Sequence, residues 1–185
     1  NVETYGCGEI VSVVNRAVGS GCVSTVLFSD GGRGRSSIYH ANATSGWPTA
    51  TGSGAETVAV ETTSLDAYFG ALGWPPVDFV LMDIEGAEKL ALEGMGELVR
   101  RNRRLKLVIE FCREAQEEAG VTPVAFFRLL GTAGFTKFQM VLGDWFDPSS
   151  YGFGPGLHEL SIPTGLPVLK TLTEGGTVNV LCEQT

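Results

Sequence analysis

Residues 77–101, VDFVLMDIEGAEKLALEGMGELVRR, hold the pattern that decides the fold. Val77 to Ile84 is a compact apolar run that follows Pro75 and Pro76 and finishes at an acidic residue, Asp83, and its length is that of a buried strand. From Ala87 the period changes. Ala87, Leu90, Ala91, Met95 and Leu98 recur near helical spacing and form one apolar stripe. Gly94 and Gly96 each weaken such a helix by about 1 kcal/mol relative to Ala, so close packing or a break is expected there. The run Arg100-Arg101-Asn102-Arg103-Arg104 places positive charge where it complements the helix dipole. The unit is therefore strand, acidic turn, helix.

The same plan repeats downstream. LKLVIEF at 105–111 is a second buried strand closing with Glu110. Thr122 can cap a helix whose first position is Pro123, where the missing N–H costs nothing, with Val124, Phe127 and Leu130 on one face and Gly134 as the stop. FTKFQMVL at 135–142 is the next strand. Residues 143–167 read as a long irregular loop rich in turns and aromatics, and TVNVLCE at 177–183 as a returning antiparallel edge strand.

Upstream, Thr63 or Ser64 can cap a short helix through Tyr68 and Leu72, ended by Gly73 and two prolines. Ile10 to Val18 reads as a short β-branched strand, and residues 22–28 as a second. Thr57 to Glu61 alternates and is expected to pair antiparallel with that second strand. Residues 31–56, dense in Gly, Ser, Thr and Asn, bury little and read as a surface excursion. The fold class is α/β. Near-continuous apolar strands alternating with helices imply one domain over 1–185, with a mostly parallel sheet covered on both faces and a C-terminal antiparallel edge strand.

Thirteen basic and twenty-one acidic side chains give a net charge of −8, which argues against a chain whose task is to hold a nucleic-acid backbone. No run reaches the roughly 18 apolar residues of a membrane-spanning helix, and the first residues lack a basic segment followed by an apolar one, so a cytoplasmic location is expected. Cys7, Cys22, Cys112 and Cys182 have no paired short spacing and are expected to be reduced thiols.

In an open parallel sheet, ligands bind outside the carboxyl ends of the strands. Asp83, Glu85 and Glu110 occupy or follow two such ends, and Asn15 and Arg16 a third. Gly86 allows a backbone conformation closed to other residues. Asp83 is a candidate general base, while Glu85 and Glu88 also suit the first turn of a helix. A divalent cation held with Asp144 or Asp147 lacks close spacing, so no metal ligands are assigned. His158 after a glycine-rich loop is a candidate base at neutral pH, and His40 lies in the excursion. Trp145, Phe146, Tyr151 and Phe153 can wall a pocket or fold back as a lid. Gly19-Ser20-Gly21 and Gly31-Gly32-Arg33-Gly34 match no phosphate-binding pattern and read as turns.

Four stretches carry a resemblance. They are Ser64-Leu65-Asp66, the strand from Val77-Asp78 into Asp83-Ile84-Glu85-Gly86-Ala87-Glu88, Glu110 at the next strand end, and Gly134-Phe135. Through them the chain resembles the FkbM-type family of S-adenosylmethionine-dependent methyltransferases, best over 57–142. The resemblance implies a truncated Rossmann-like methyltransferase fold and methyl transfer to an oxygen on a small molecule, sugar or glycolipid. It places Asn15, Arg16 and Ala17 near the adenine side of the S-adenosylmethionine site, and Asp83 and Glu85 near the methyl donor and acceptor. It also implies a strand with a glycine-rich turn and a second strand with a ribose-binding acid, both expected before Asn1. Without those neighbours, exposed sheet edges are expected to be covered in a homodimer. Two rival readings come from the residues alone: a non-catalytic interaction or assembly module, and a metal-dependent hydrolase using Asp83, Glu110 and His158.

Overall fold

The alternation of Leu107, Ile109 and Phe111 with Lys106, Val108 and Glu110 sorts one strand into a buried face and a partly exposed one, and the rest of the fold is arranged around that division. The computed structural model describes residues 2–29, 36–39, 56–142, 156–160 and 177–185. In chain order the strands are β1 (Ala17–Val18), β2 (Ser24–Ser29), β3 (Ser36–Ser37), β4 (Glu56–Thr63), β5 (Phe79–Met82), β6 (Lys106–Cys112), β7 (Lys137–Leu142), β8 (Gly156–Leu160) and β9 (Thr177–Glu183). The helices are α1 (Leu65–Ala71), α2 (Glu88–Glu93), α3 (Gly96–Arg101), α4 (Arg113–Glu118) and α5 (Pro123–Ala133).

Two sheets form, with strand orders β1-β4-β2-β3 and β5-β6-β9-β7-β8. The expected mostly parallel sheet is corrected to a mixed one. Among the described residues only β1–β4 and β5–β6 pair parallel, whereas β2–β3, β2–β4, β6–β9, β7–β8 and β7–β9 pair antiparallel. The predicted ribbon between the second strand and Thr57–Glu61 does form, with Ser24 to Ser29 running opposite Glu61 to Glu56. The last strand is antiparallel as expected, but it is central. β9 inserts between β6 and β7, its Val178, Val180 and Cys182 are buried, and β8 takes the edge. β8 also corrects the reading of 143–167 as wholly irregular, since residues 156–160 pair with β7 in register from Phe138–Leu160 to Leu142–Gly156. The strand expected from Ile10 to Val18 shrinks to Ala17–Val18. Ile10 and Val13 are exposed, and among the described residues no strand lies beside 10–16 to take up their backbone hydrogen bonds.

Helices α2, α3 and α5 supply Leu92, Leu98, Phe126, Phe127 and Leu130 to the core on the buried side of the larger sheet. Phe111 stands between Phe126 and Phe127 at ring-centroid distances of 5.5 and 5.7 Å, and Phe127 meets Phe138 edge-on at 5.4 Å. On the opposite face, Phe79 and Leu81 are 55% and 66% exposed, and β6 contributes Lys106, Val108 and Glu110. Lys106 and Lys137 both pair with Glu183 at 3.0 Å, one row that locks the register of three adjacent strands. No helix of the described residues is long and apolar enough to cross a membrane.

The long helix read from 87 onward breaks where its glycines allowed it to. α2 stops at Gly94, and α3 starts again at Gly96. A Cβ on Gly94 would lie 2.4 Å from the Gly19 carbonyl oxygen and 2.9 Å from the Ser64 Cβ, so the glycine is needed for close approach of β1 and α1. Asp66 then caps the restarted helix, its carboxylate accepting from Glu97 N at 3.0 Å and Leu98 N at 2.8 Å. Ser64 caps its own helix by accepting from Ala67 N, and Thr122 caps α5 by accepting from Ala125 N.

Gly94→Ala is expected to destabilise the fold by about 1–3 kcal/mol through overpacking. Gly131→Ala, inside α5 with nothing within 4 Å of its added carbon, is expected to stabilise it by about 0.5–1 kcal/mol. Urea unfolding of the two variants checks both signs.

Candidate functional site

The parallel pairing of β5 with β6, Met82 beside Ile109, brings the next residues on each strand together. Asp83 and Glu110 therefore emerge side by side at two strand ends, and Glu85 joins them from the turn. One carboxylate oxygen from each of the three lies within 4.8 Å of the others, with Asp83 exposed and the two glutamates half-buried. Like charges this close cannot all ionise freely. The Asp83 and Glu110 carboxylates are close enough for each charge to bear on the other. Burial raises the pKa of Glu110, and the Asp83 charge and then Glu85 push it in the same direction, while a hydrogen bond from Thr177 Oγ1 to Glu110 Oε1 at 3.1 Å acts against them. The cluster is thus an acidic site at the strand ends in which Glu110 holds its proton more tightly than a free carboxyl.

The turn that presents these groups is held from beneath by Glu88. This side chain is 2% exposed, and its carboxylate accepts from Ile84 N at 3.3 Å and from the backbone N–H groups of Gly86 and Glu88. Gln116 Nε2 of α4 donates to the second oxygen, Oε2, at 2.5 Å. Glu85 has φ +50° and Gly86 φ +97°, so two successive residues occupy the left-handed region, and only the second is a glycine. Ser37 of β3 supports Glu85 from the smaller sheet, its hydroxyl donating to the Glu85 carbonyl at 2.6 Å.

The sequence-derived candidates are therefore divided. Asp83, Glu85 and Glu110 converge. Ala17 opens β1 in the four-stranded sheet, and Asn15 and Arg16 are exposed just before it. The structure does not bring His158 to the carboxylates. It sits on β8, with β9 and β7 between that strand and β6, about 14 Å away at the usual strand spacing. Its register partner Met140 is buried, so His158 points to the helix-covered face and Glu110 to the other. His40, Asp144, Trp145, Phe146, Asp147, Tyr151 and Phe153 lie outside the described residues. The Cys112 thiol is pushed up by burial and by Glu114 and Glu85, which disfavours a thiolate nucleophile there. Thr177, Gln116 and Ser37 are the contributors that sequence reasoning missed. Nothing in their local pattern marks them, because each acts through a contact more than 25 residues away in the chain.

Burial raises the Glu88 pKa, against the lowering effect of its backbone and Gln116 hydrogen bonds. The folded state then holds this proton more tightly than the unfolded chain. Its contribution to stability is full below the ordinary carboxyl range and is lost as pH rises through the folded midpoint. Glu88→Gln keeps an oxygen for the turn and adds an N–H2 that can meet Gln116 Oε1, which has no partner among the described residues. The variant is expected to fold and to lose less stability than the parent as pH rises across that window, measured by thermal unfolding at a series of pH values.

A family model described as the methyltransferase FkbM domain matches residues 4–142, about three quarters of the chain. No curated protein and no solved structure matches the chain. The match spans β1 to β7, including the strand-end carboxylates and the turn built on Glu88. By that match, the chain belongs to the FkbM methyltransferase family.

Proposed function

We propose that the chain serves an S-adenosylmethionine-dependent O-methyltransfer to a hydroxyl of a small molecule, sugar or glycolipid, with the Asp83–Glu110 pair as the group that handles the acceptor's proton. The observation that carries this reading is the convergence of three carboxylates at the ends of β5 and β6, where burial and the neighbouring charges raise the pKa of Glu110. The chemistry of the residues fits the cofactor, because a cluster of carboxylates favours a cationic sulfonium nearby. Asp83 would hold it together with Asn15, Arg16 and Ala17, and when bound it supplies an electrophilic methyl group.

The chain's own residues have the remaining tasks. A hydroxyl docked at the strand ends can donate a hydrogen bond to Asp83 or Glu110, which orients its oxygen lone pair outward. As the new C–O bond forms and the methyl carbon's bond to sulfur breaks, the acceptor oxygen becomes acidic and its proton would pass to Asp83 or Glu110. Thr177, by its hydrogen bond to Glu110 Oε1, keeps that carboxyl in place. Glu85 adds negative charge beside Glu110 and so strengthens its basicity. Phe79 and Leu81 offer an exposed apolar strip leading to Asp83 along β5, suited to the non-polar part of an acceptor.

The test combines calorimetric titration of S-adenosylhomocysteine with transfer of a radiolabelled methyl group to a panel of hydroxylated acceptors. Glu110→Gln and Asp83→Asn are each expected to lower transfer by about 10²–10⁴-fold, the usual worth of a general base, while Glu110→Gln still binds S-adenosylhomocysteine. Failure of the parent protein to bind S-adenosylhomocysteine, or unchanged transfer in both variants, would overturn the reading.

A further inference from the structure

The carboxylate cluster includes one residue in a backbone conformation that its side chain disfavours. Glu85, at φ +50°, adopts the left-handed region as a non-glycine residue, and such conformations persist only where the surroundings over-determine them. Glu88 fixes Ile84 and Gly86 on either side, but neither of those contacts reaches the Glu85 carbonyl. That carbonyl is met by Ser37 Oγ at 2.6 Å, from a strand 48 residues earlier in the chain. Ser37 is 1% exposed, and its oxygen also accepts from Tyr39 N at 3.1 Å, so the hydroxyl has both a donor to orient it and an acceptor to serve. A buried serine hydroxyl held by one donated and one accepted hydrogen bond has little rotational freedom.

We propose that Ser37 is a positioning residue of the site, holding the Glu85 carbonyl so that the residue stays left-handed and its carboxylate remains beside Asp83 and Glu110. The inference rests on the methyltransfer reading for its catalytic meaning and on geometry alone for its structural content. It assigns a function to a segment that composition marks only as a surface excursion. The short strand β3 delivers Ser37 to the acidic turn, and β2 and β4 carry β3. Without the serine hydroxyl, the Glu85 peptide can rotate toward the ordinary right-handed region and take its carboxylate away from the pair.

The test follows the proton of Glu110, which faces Asp83 and Glu85 across the turn and Thr177 and Asn179 on β9. Carbon-13 NMR of the labelled carboxyl groups, in the absence of cofactor, gives its titration midpoint in the parent, Ser37→Ala, Glu85→Gln and the double variant. Glu85→Gln removes a charge that raises this midpoint and is expected to lower it. Ser37→Ala is expected to lower it in the same direction, and to add nothing in the Glu85→Gln background. A parental midpoint in Ser37→Ala, or an equal effect of that substitution with and without Glu85, would overturn the proposal. Should Ser37→Ala alone fail to fold, the Ser37→Ala/Glu85→Gly pair is decisive. Glycine takes the left-handed position without penalty, so the pair is expected to fold, and its failure to do so would overturn the proposal as well. These readings hold whether or not S-adenosylhomocysteine binds, so they separate this inference from the methyltransfer assignment. Where both hold, Ser37→Ala lowers kcat and leaves the affinity for S-adenosylhomocysteine close to that of the parent.

Discussion

The burial of one carboxyl group, Glu88, under a turn of six residues is the constraint on which the site depends. A side chain 2% exposed must find partners for its oxygens, and Glu88 finds them in the backbone N–H groups of the turn and in Gln116 of α4. The turn is thereby tied to the helix that follows β6. Since Asp83 directly follows β5 and Glu110 lies on β6, the same tie keeps the two strand ends in a fixed relation. A flexible loop at this point would let three carboxylates repel one another apart. A held one keeps them together and raises the pKa of Glu110 instead.

Strand alternation does the rest of the sorting. Phe111 fits between Phe126 and Phe127, which fixes the face that β6 presents to the core. Glu110, one residue earlier, must then point to the opposite face, beside the exposed strip of Phe79 and Leu81. Core packing and site placement are consequently one property of this strand. A register slip of one residue would bury Glu110 and expose Phe111, and the Lys106–Glu183–Lys137 row opposes such a slip from the far end of the same strands. The close contact at Gly94 plays the corresponding part for the smaller sheet, setting β1 and α1 against the break between α2 and α3.

What the sequence revealed follows the range over which each signal acts. Local signals held. The caps at Ser64 and Thr122, Pro123 at the start of α5, the left-handed Gly134 and the break at Gly94 all concern residues within a turn of one another. The convergence of Asp83, Glu85 and Glu110 was legible too, because parallel neighbouring strands that both end in an acid bring those acids together. Long-range pairing was not. Nothing in Thr177–Glu183 distinguishes an edge strand from one inserted between β6 and β7, since both require an apolar face and only the second also requires two partners. The short β8 was hidden among turn residues, and with it the position of His158, whose placement opposite Met140 takes it to the other face of the sheet. Ile10 to Val14 shows the converse error, in which β-branched composition suggests a strand but pairing begins only at Ala17. The motif Ser64-Leu65-Asp66 has a structural part: the serine caps α1 and the aspartate caps α3.

If the strand-end carboxylates are the place of methyl transfer, a crystal structure of the protein with S-adenosylhomocysteine will show the thioether sulfur beside Asp83 and Glu110, with Glu85 left-handed and Glu88 buried beneath the turn. Binding of S-adenosylhomocysteine at a site remote from Asp83 and Glu110 would contradict it.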